Sequence, residues 1–125
     1  FINYNNHIAE YSDENDRSLV IGFSLMNKQF LMMGDATKMV EQNIINEYPS
    51  SDCDILNVGH HGSNTSTLKE FVPLVSPETA IISAGKNNKY GHPHESVLKI
   101  LEEENVKIRR TDIEGTITYS NYIFM

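Results

Sequence analysis

Two adjacent histidines, His60 and His61, lie between glycines directly after a short apolar run that predicts a buried strand. Neutral imidazole binds zinc and other first-row divalent metals, and it also carries protons near neutral pH. The flanking glycines allow the backbone to turn sharply and to approach a ligand closely. The pair therefore indicates a metal or acid–base site, and a turn with two structural, hydrogen-bonded histidines is the alternative.

A carboxylate, Asp35, follows another apolar run and a glycine. Burial of a carboxylate is unfavourable unless a cation or hydrogen-bond donors compensate it. Aspartate combined with histidine suits zinc or manganese, and in two-metal hydrolases a carboxylate can bridge the two ions. Asp35 is therefore a candidate metal ligand, and the alternative is that it caps the helix predicted to follow it.

Residues 85–94 form a third polar segment after an apolar run, and they include His92. If the three preceding strands are parallel neighbours, this segment meets Asp35 and the histidine pair at one edge of the sheet. Lys86 and Asn88 are candidates for binding an anionic group, with a solvated loop as the alternative. Ser63 is a candidate phosphate donor at a helix N-terminus.

The elements that would position these residues alternate between strands and helices, which predicts an α/β fold with a mixed β-sheet and packed helices. After an extended lead-in at residues 1–16, the predicted strands are 17–26 and 29–33 (a hairpin linked by Asn27-Lys28), 54–58, 79–84, and a terminal hairpin of 106–110 and 116–119. The predicted helices are 37–47 with Met39, Val40, Ile44 and Ile45 inward, a short one around 68–72 capped by Ser66 or Thr67, and 95–104 capped by His94.

Composition bounds the interpretation. The 125 residues suffice for one small domain, and the net charge of −7 argues against a broad basic surface for nucleic acid. Bound cations would reverse the sign of the charge locally, so a phosphate-containing substrate remains compatible. The single cysteine, Cys53, excludes an internal disulfide and is predicted to lie in the core. No apolar run of membrane-spanning length occurs, which predicts a soluble segment, and the start at Phe1 predicts an internal boundary of a longer protein.

Residues 17–118 resemble the C-terminal half of metallo-β-lactamase-fold hydrolases of the ComEC competence type. The elements Gly59-His60-His61-Gly62-Ser63 and Tyr90-Gly91-His92-Pro93 together make the resemblance specific. Matching segments occur in family order at residues 18–21, 30–36, 54–63, 80–93 and 110–117.

The resemblance implies that residues 1–125 are the C-terminal half of an αββα sandwich with two divalent ions, zinc or manganese, in the complete domain. It implies that Asp35 bridges the metals and that His61 is the late histidine ligand. His60 would face the scissile phosphate as a hydrogen-bond donor or general acid, and His92 would contact substrate at the rim.

The family's first metal motif, His-x-(His/Asp)-x-Asp-His, is absent from these residues. We therefore expect a half-site that binds metal weakly or not at all in isolation and that needs the N-terminal half of the same domain as its partner. The sheet face that such a half exposes predicts association with a second copy of the chain.

The sequence thus favours part of a metal-dependent phosphodiesterase, a nuclease domain of a bacterial competence protein for DNA uptake. The resemblance implies a soluble domain of a membrane protein, at its extracytoplasmic face, with DNA or another phosphodiester as substrate. The alternatives are a non-catalytic α/β interaction or dimerisation module, and another hydrolase of the same fold that acts on a lactam, thioester or lipid-linked phosphate.

Overall fold

Residues 1–120, the part of the chain that the computed structural model describes, contain six strands and four α-helices, which alternate from the third strand onward. The strands are β1 (Ile2–Asn3), β2 (Ile21–Leu25), β3 (Lys28–Met32), β4 (Ile55–Asn57), β5 (Thr79–Ile82) and β6 (Lys107–Arg110). The helices are α1 (Lys38–Glu47), α2 (Phe71–Val75), α3 (Glu95–Glu103) and α4 (Thr111–Glu114). The strands pair in chain order, from β1 at one edge to β6 at the other, so the predicted mixed sheet is confirmed.

The hairpin of β2 and β3 is confirmed, with its turn one residue earlier than predicted. Leu25 pairs with Lys28, so Met26 and Asn27 form the link. Both link residues have positive φ, 54° and 60°, which is the backbone of a type I′ turn. Asn27 suits the second of these positions, and Lys28 belongs to the strand.

Strands β3 to β6 are all parallel. Phe30 pairs with Ile55, Ile55 with Thr79, and Thr79 with Lys107. The carboxyl ends of these strands therefore lie along the same edge of the sheet, where open α/β sheets place their sites.

The core lies between one face of this sheet and the helices. The alternate residues Leu31, Leu56 and Ala80 point into it from β3, β4 and β5. The helices contribute Val40 and Ile44 from α1, Phe71, Val72 and Val75 from α2, and Val97 and Leu101 from α3, all nearly inaccessible to solvent. The inward face predicted for α1 is wrong at Met39, which is 60% exposed, and Glu41 is buried instead.

The cap predicted for the short helix is also wrong. Helix α2 begins only at Phe71, after Glu70. The backbone N–H groups of Thr67 and Leu68 donate instead to the oxygens of the Glu41 carboxyl group, at 2.7 and 2.5 Å. These bonds hold the preceding segment against α1 as a loop. By contrast, His94 caps α3 as predicted, because its side chain accepts a hydrogen bond from the Ser96 N–H.

The predicted terminal hairpin does not form. Residues 116–119 are in no strand, and the chain turns into α4 directly after β6. Two ion pairs close this turn, Arg109 with Glu114 at 3.0 Å and Arg110 with Asp112 at 2.6 Å. Both pairs connect β6 to α4, and the chain therefore leaves the sheet at this point.

Residues 1–16, predicted as an extended lead-in, pack onto the sheet. Strand β1 extends its edge beside β2. Asn5 is buried, and its side-chain amide donates to the backbone oxygens of Asp16 and Ser18, both at 2.8 Å. The segment is therefore part of the folded unit.

The second face of the sheet carries several apolar side chains, and residues 117–119 cover part of it. The rings of Phe23 and Phe30 stack with centroids 5.0 Å apart, and the Tyr119 ring packs on Phe30 at 5.8 Å. A shallow cavity of about 280 Å³ on this face is lined in part by Met32 and Ile81. None of the helices in the described part of the chain combines the length and apolar character needed to cross a membrane.

Candidate active site

The loops that follow β3, β4 and β5 meet at the carboxyl edge of the sheet, as the sequence predicted. Backbone hydrogen bonds join them: the His60 N–H donates to the Gly34 carbonyl at 2.9 Å, and the His94 N–H donates to the Gly62 carbonyl at 2.8 Å. The loop with the histidine pair thus lies between the Asp35 loop and the His92 loop.

The histidine pair has an unusual backbone. After β4 the chain forms a tight turn over Gly59–Gly62, in which His60 and His61 have φ angles of 49° and 57°. Left-handed backbone costs a residue with a Cβ about 1–2 kcal/mol, and such strain concentrates at functional sites. This left-handed backbone places both imidazoles beyond the end of β4. His61 is exposed and His60 is partly exposed.

Asp35 and His61 form the closest ionisable pair at this edge. His61 Nε2 lies 3.2 Å from Asp35 Oδ1, and each side chain is about half exposed, at 53% and 48%. On the other side of the ring, His61 Nδ1 is 2.8 Å from the Ser83 carbonyl oxygen. Because a carbonyl only accepts, Nδ1 carries a proton, and in neutral imidazole the Nε2 lone pair faces the carboxylate.

These atoms fit a divalent cation. A metal-bound imidazole usually donates the N–H of its second ring nitrogen to a carbonyl, a carboxylate or water, and His61 makes such a bond. Tetrahedral zinc with bonds of about 2.0 Å separates neighbouring ligand atoms by about 3.3 Å, close to the observed 3.2 Å. Within residues 1–120, no three histidine, cysteine, aspartate or glutamate side chains converge on one point. The pair is therefore a candidate for two donors of a ligand set that would need further residues.

Asp35 is available for this role because it does not cap α1. Thr37 is the N-cap, and its hydroxyl accepts from the Met39 N–H at 3.4 Å. Asp16 in turn accepts from the Thr37 N–H at 3.0 Å and from its hydroxyl at 2.6 Å. The alternative role of Asp35 as the helix cap is therefore wrong.

His60 points to the other side of the pair. Its Nδ1 shares a hydrogen bond of 3.0 Å with the Thr65 hydroxyl, which shares another of 3.0 Å with the Ser63 hydroxyl. Ser63 is only 5% exposed, so its hydroxyl is held within the loop. The His60 ring lies 6.3 Å from the His61 ring and 6.0 Å from the His92 ring, centroid to centroid.

His92 completes the cluster of imidazoles. Partial burial, together with the neighbouring His60 and His61, lowers the pKa of His92, which keeps its ring neutral at neutral pH. The His92 ring also lies against Tyr90, with centroids 5.6 Å apart and planes 26° from parallel. A cavity of about 510 Å³ opens beside these rings and is lined also by His61, Asn88 and Thr111.

Lys86 and Asn88 belong to the same loop. Lys86 is exposed, whereas the Asn88 side chain is occupied by hydrogen bonds within the loop. Substrate binding by Ser63, Lys86, Asn88 and His92 stays a prediction.

Sequence reasoning missed the supporting roles of two residues, Thr65 and Glu41. Thr65 orients His60, and a hydroxyl five residues after a histidine was the only available signal. Glu41 anchors the loop after the histidines while it is 1% exposed. No sequence signal marked Glu41, because glutamate in a helix is ordinarily solvated.

The chain is similar in sequence to several known bacterial proteins. No sequence-family profile matches it. It is 44% identical over 108 residues to ComE operon protein 3 of Bacillus subtilis and 34% identical over 108 residues to the competence protein ComA of Neisseria gonorrhoeae. It is 36% identical over 104 residues to recombination protein 2 of Haemophilus influenzae.

These matches take in most of the chain and a small part of each relative. They cover 86%, 86% and 83% of this chain, and 14%, 16% and 13% of the respective relative. Over most of its length, the chain is therefore homologous to one segment of bacterial competence proteins.

Proposed function

We propose that this chain is the part of a metal-dependent phosphodiesterase that supplies a late aspartate and a late histidine ligand, and that the complete domain cleaves DNA during its uptake. The observation that carries the proposal is the Asp35–His61 pair, with His61 fixed from behind by the Ser83 carbonyl. The names of the competence relatives support the assignment to DNA uptake.

In this proposal Asp35 and His61 would hold zinc or manganese in the complete domain, together with ligands from outside this chain. A bound divalent ion supplies Lewis-acid chemistry and lowers the pKa of water. His60 donates a proton or hydrogen bond to the leaving oxygen, and the Thr65 hydroxyl sets the orientation of its ring. Lys86 and His92 contact the DNA strand around the reacting phosphate, whereas Ser63 and Asn88, whose side chains are engaged within their own loops, support binding by holding those loops in place.

The remaining ligands come from a His-x-(His/Asp)-x-Asp-His segment, which these 125 residues lack. We assign it to the N-terminal half of the same metallo-β-lactamase-like domain, packed on the apolar second face of the sheet. The complete domain would belong to a bacterial membrane protein and lie on its extracytoplasmic side. This chain alone is expected to be inactive.

The test measures bound metal and cleavage of single-stranded DNA for this chain and for the longer domain that includes the first motif, with zinc or manganese added. We expect about two ions and cleavage in the longer domain, and neither in the 125-residue chain. If the longer domain neither binds metal nor cleaves a phosphodiester, the proposal is wrong and the non-catalytic interaction module replaces it.

Substitutions in the longer domain separate the roles. Asp35→Ala and His61→Ala should lose metal and activity together. His60→Ala should keep the metal and lower kcat by about 10²- to 10⁴-fold, the usual size of a general-acid contribution. His7→Ala, a histidine remote from the edge, is the matched control and should change neither. Loss of metal in His60→Ala with retention in His61→Ala would reverse the two assignments.

A further inference from the structure

We propose that Tyr90 and His92 form a stacking subsite for an unpaired nucleobase, beside the position where the phosphodiester is cleaved. This inference rests on the proposed function, because it describes how the same site holds a single DNA strand. It adds a binding residue, Tyr90, and a preference for unpaired over duplex substrate.

The first observation is an exposed aromatic surface next to the reacting groups. Tyr90 is 69% exposed, and its ring lies nearly parallel to that of His92. Both rings line the cavity of about 510 Å³, and His61 lines it as well. A cavity of this size falls within the range of small-molecule sites, about 300–1,000 Å³. A base that stacks in this cavity would place its attached phosphate near His61, which lines the same cavity.

The second observation is that the loop holding Tyr90 is ordered by its own hydrogen bonds. Asn88 Oδ1 accepts from the N–H groups of Tyr90 and His92, at 3.2 and 2.9 Å. Asn88 Nδ2 donates to the carbonyls of Gly85 and His92, at 2.9 and 2.6 Å. Tyr90 is therefore held outward by an ordered loop, which reduces the entropy lost when a ligand binds.

The third observation is the charge of the loop. The chain has 17 acidic and 10 basic residues, yet residues 85–94 contain Lys86 and Lys89 and no acidic residue. Lys89 Nζ lies 5.3 Å from the centroid of the Tyr90 ring. Aromatic rings beside lysines are how proteins hold single strands, because the ring stacks on the base while the cations attract the phosphates. Bases in a duplex already stack on one another, so the subsite selects an unpaired base.

The test compares the 125-residue chain with its variants Tyr90→Ala and Tyr90→Phe. Binding of a fluorescent oligothymidine and of an abasic strand of the same length is measured by anisotropy. We expect Tyr90→Ala to weaken oligothymidine binding about 5- to 150-fold, the range for one base–aromatic stack, and Tyr90→Phe to preserve it. The abasic strand should bind more weakly than oligothymidine and should not respond to either substitution.

Equal binding of the two strands, unchanged binding in Tyr90→Ala, or no binding of oligothymidine overturns the inference. Cleavage of the abasic strand by the longer, metal-loaded domain separates this result from the proposed function. If that strand is cleaved, the phosphodiesterase proposal stands without the stacking subsite. If neither strand is cleaved while oligothymidine binding depends on the Tyr90 ring, the stacking subsite stands and the phosphodiesterase proposal fails.

Discussion

At the scale of residues, a hydrogen bond on one side of a side chain determines which atom that side chain presents on its other side. His61 presents Nε2 to Asp35 because its other ring nitrogen, Nδ1, donates to the Ser83 carbonyl. Asp35 is left unengaged by α1 because Thr37 and Asp16 satisfy the start of that helix. In both cases the role of a site residue is set by contacts that other residues make.

Glu41 gives a residue-scale prediction about pH. Burial raises the pKa of Glu41 to about 7 from an ordinary 4.5, against the opposing effect of the Thr67 and Leu68 N–H groups. Between these values the folded state holds a proton that the unfolded state has released. The free energy of unfolding therefore falls as pH rises from about 4.5 to about 7, by about 3 kcal/mol from this group.

Urea denaturation of the wild type and of Glu41→Gln at about pH 4 and at about pH 8, on either side of this interval, measures the effect. The wild type should lose about 3 kcal/mol more than the variant between the two pH values. A difference between two pH values removes any constant cost of the altered hydrogen bonds. Glu47 and Glu10 raise the pKa of His7, so the contribution of His7 to the free energy of unfolding also falls as pH rises. This contribution is the same in both proteins and cancels in the comparison. Equal losses in the two proteins would show that Glu41 does not carry the proton.

At the scale of elements, the site depends on how closely two loops pack. Gly62 has φ of +76°, and a Cβ there would lie 2.7 Å from Pro93 Cβ and 3.2 Å from Ile82 Cγ2. The turn with the histidine pair can therefore approach the His92 loop only through a glycine. This close packing brings the His60 and His92 rings to 6.0 Å.

Gly62→Ala tests this packing, with Gly91→Ala as its matched control. Gly91 has a similar φ of +70°, but a Cβ added there would meet no atom of residues 1–120 within 4 Å. Gly91→Ala should therefore lower the free energy of unfolding by about 1–2 kcal/mol, because alanine disfavours left-handed backbone. Gly62→Ala should lower it by about 1–3 kcal/mol more, because its Cβ also clashes with Pro93. Urea unfolding gives both values. A Gly62→Ala variant as stable as Gly91→Ala would mean that the two loops separate easily.

At the scale of the whole molecule, the sheet has helices on one face and an apolar surface on the other. Met32 is 37% exposed there, beside the rings of Phe23 and Phe30. Exposed apolar surface of this kind drives association. In the proposal this surface packs on the N-terminal half of the domain, and in isolation it would pack on a second copy of the chain.

Sedimentation velocity over a range of concentrations tests the predicted self-association. The wild type should form dimers, and Met32→Glu should remain monomeric because a buried, unpaired carboxylate opposes association. Met39→Glu places the same charge on the exposed side of α1 and should dimerise like the wild type. Dimers that persist in Met32→Glu but not in Met39→Glu would move the contact to the helical side.

Local patterns in the sequence determined much of this protein. Alternation of apolar runs with helical periodicity predicted the mixed α/β sheet, and the strand ends predicted that Asp35, the histidine pair and His92 would share one edge. The elements follow from hydrophobic periodicity, which can be read from neighbouring residues. The shared edge follows because strands that are separated by a helix can pair in parallel. The resemblance of the Gly-His-His-Gly-Ser and Tyr-Gly-His-Pro elements pointed to the competence proteins that the comparisons identified.

Only the tertiary structure decided the contacts between distant segments. Burial of Glu41 turned the predicted capped helix into a loop, and the ion pairs of Arg109 and Arg110 replaced a predicted hairpin with α4. The Ser83 carbonyl selected the proton position on His61, and Asn88 ordered the loop that exposes Tyr90. Sequence periodicity carries no information about such pairings, because each depends on which side chains the folded backbone brings within hydrogen-bond distance.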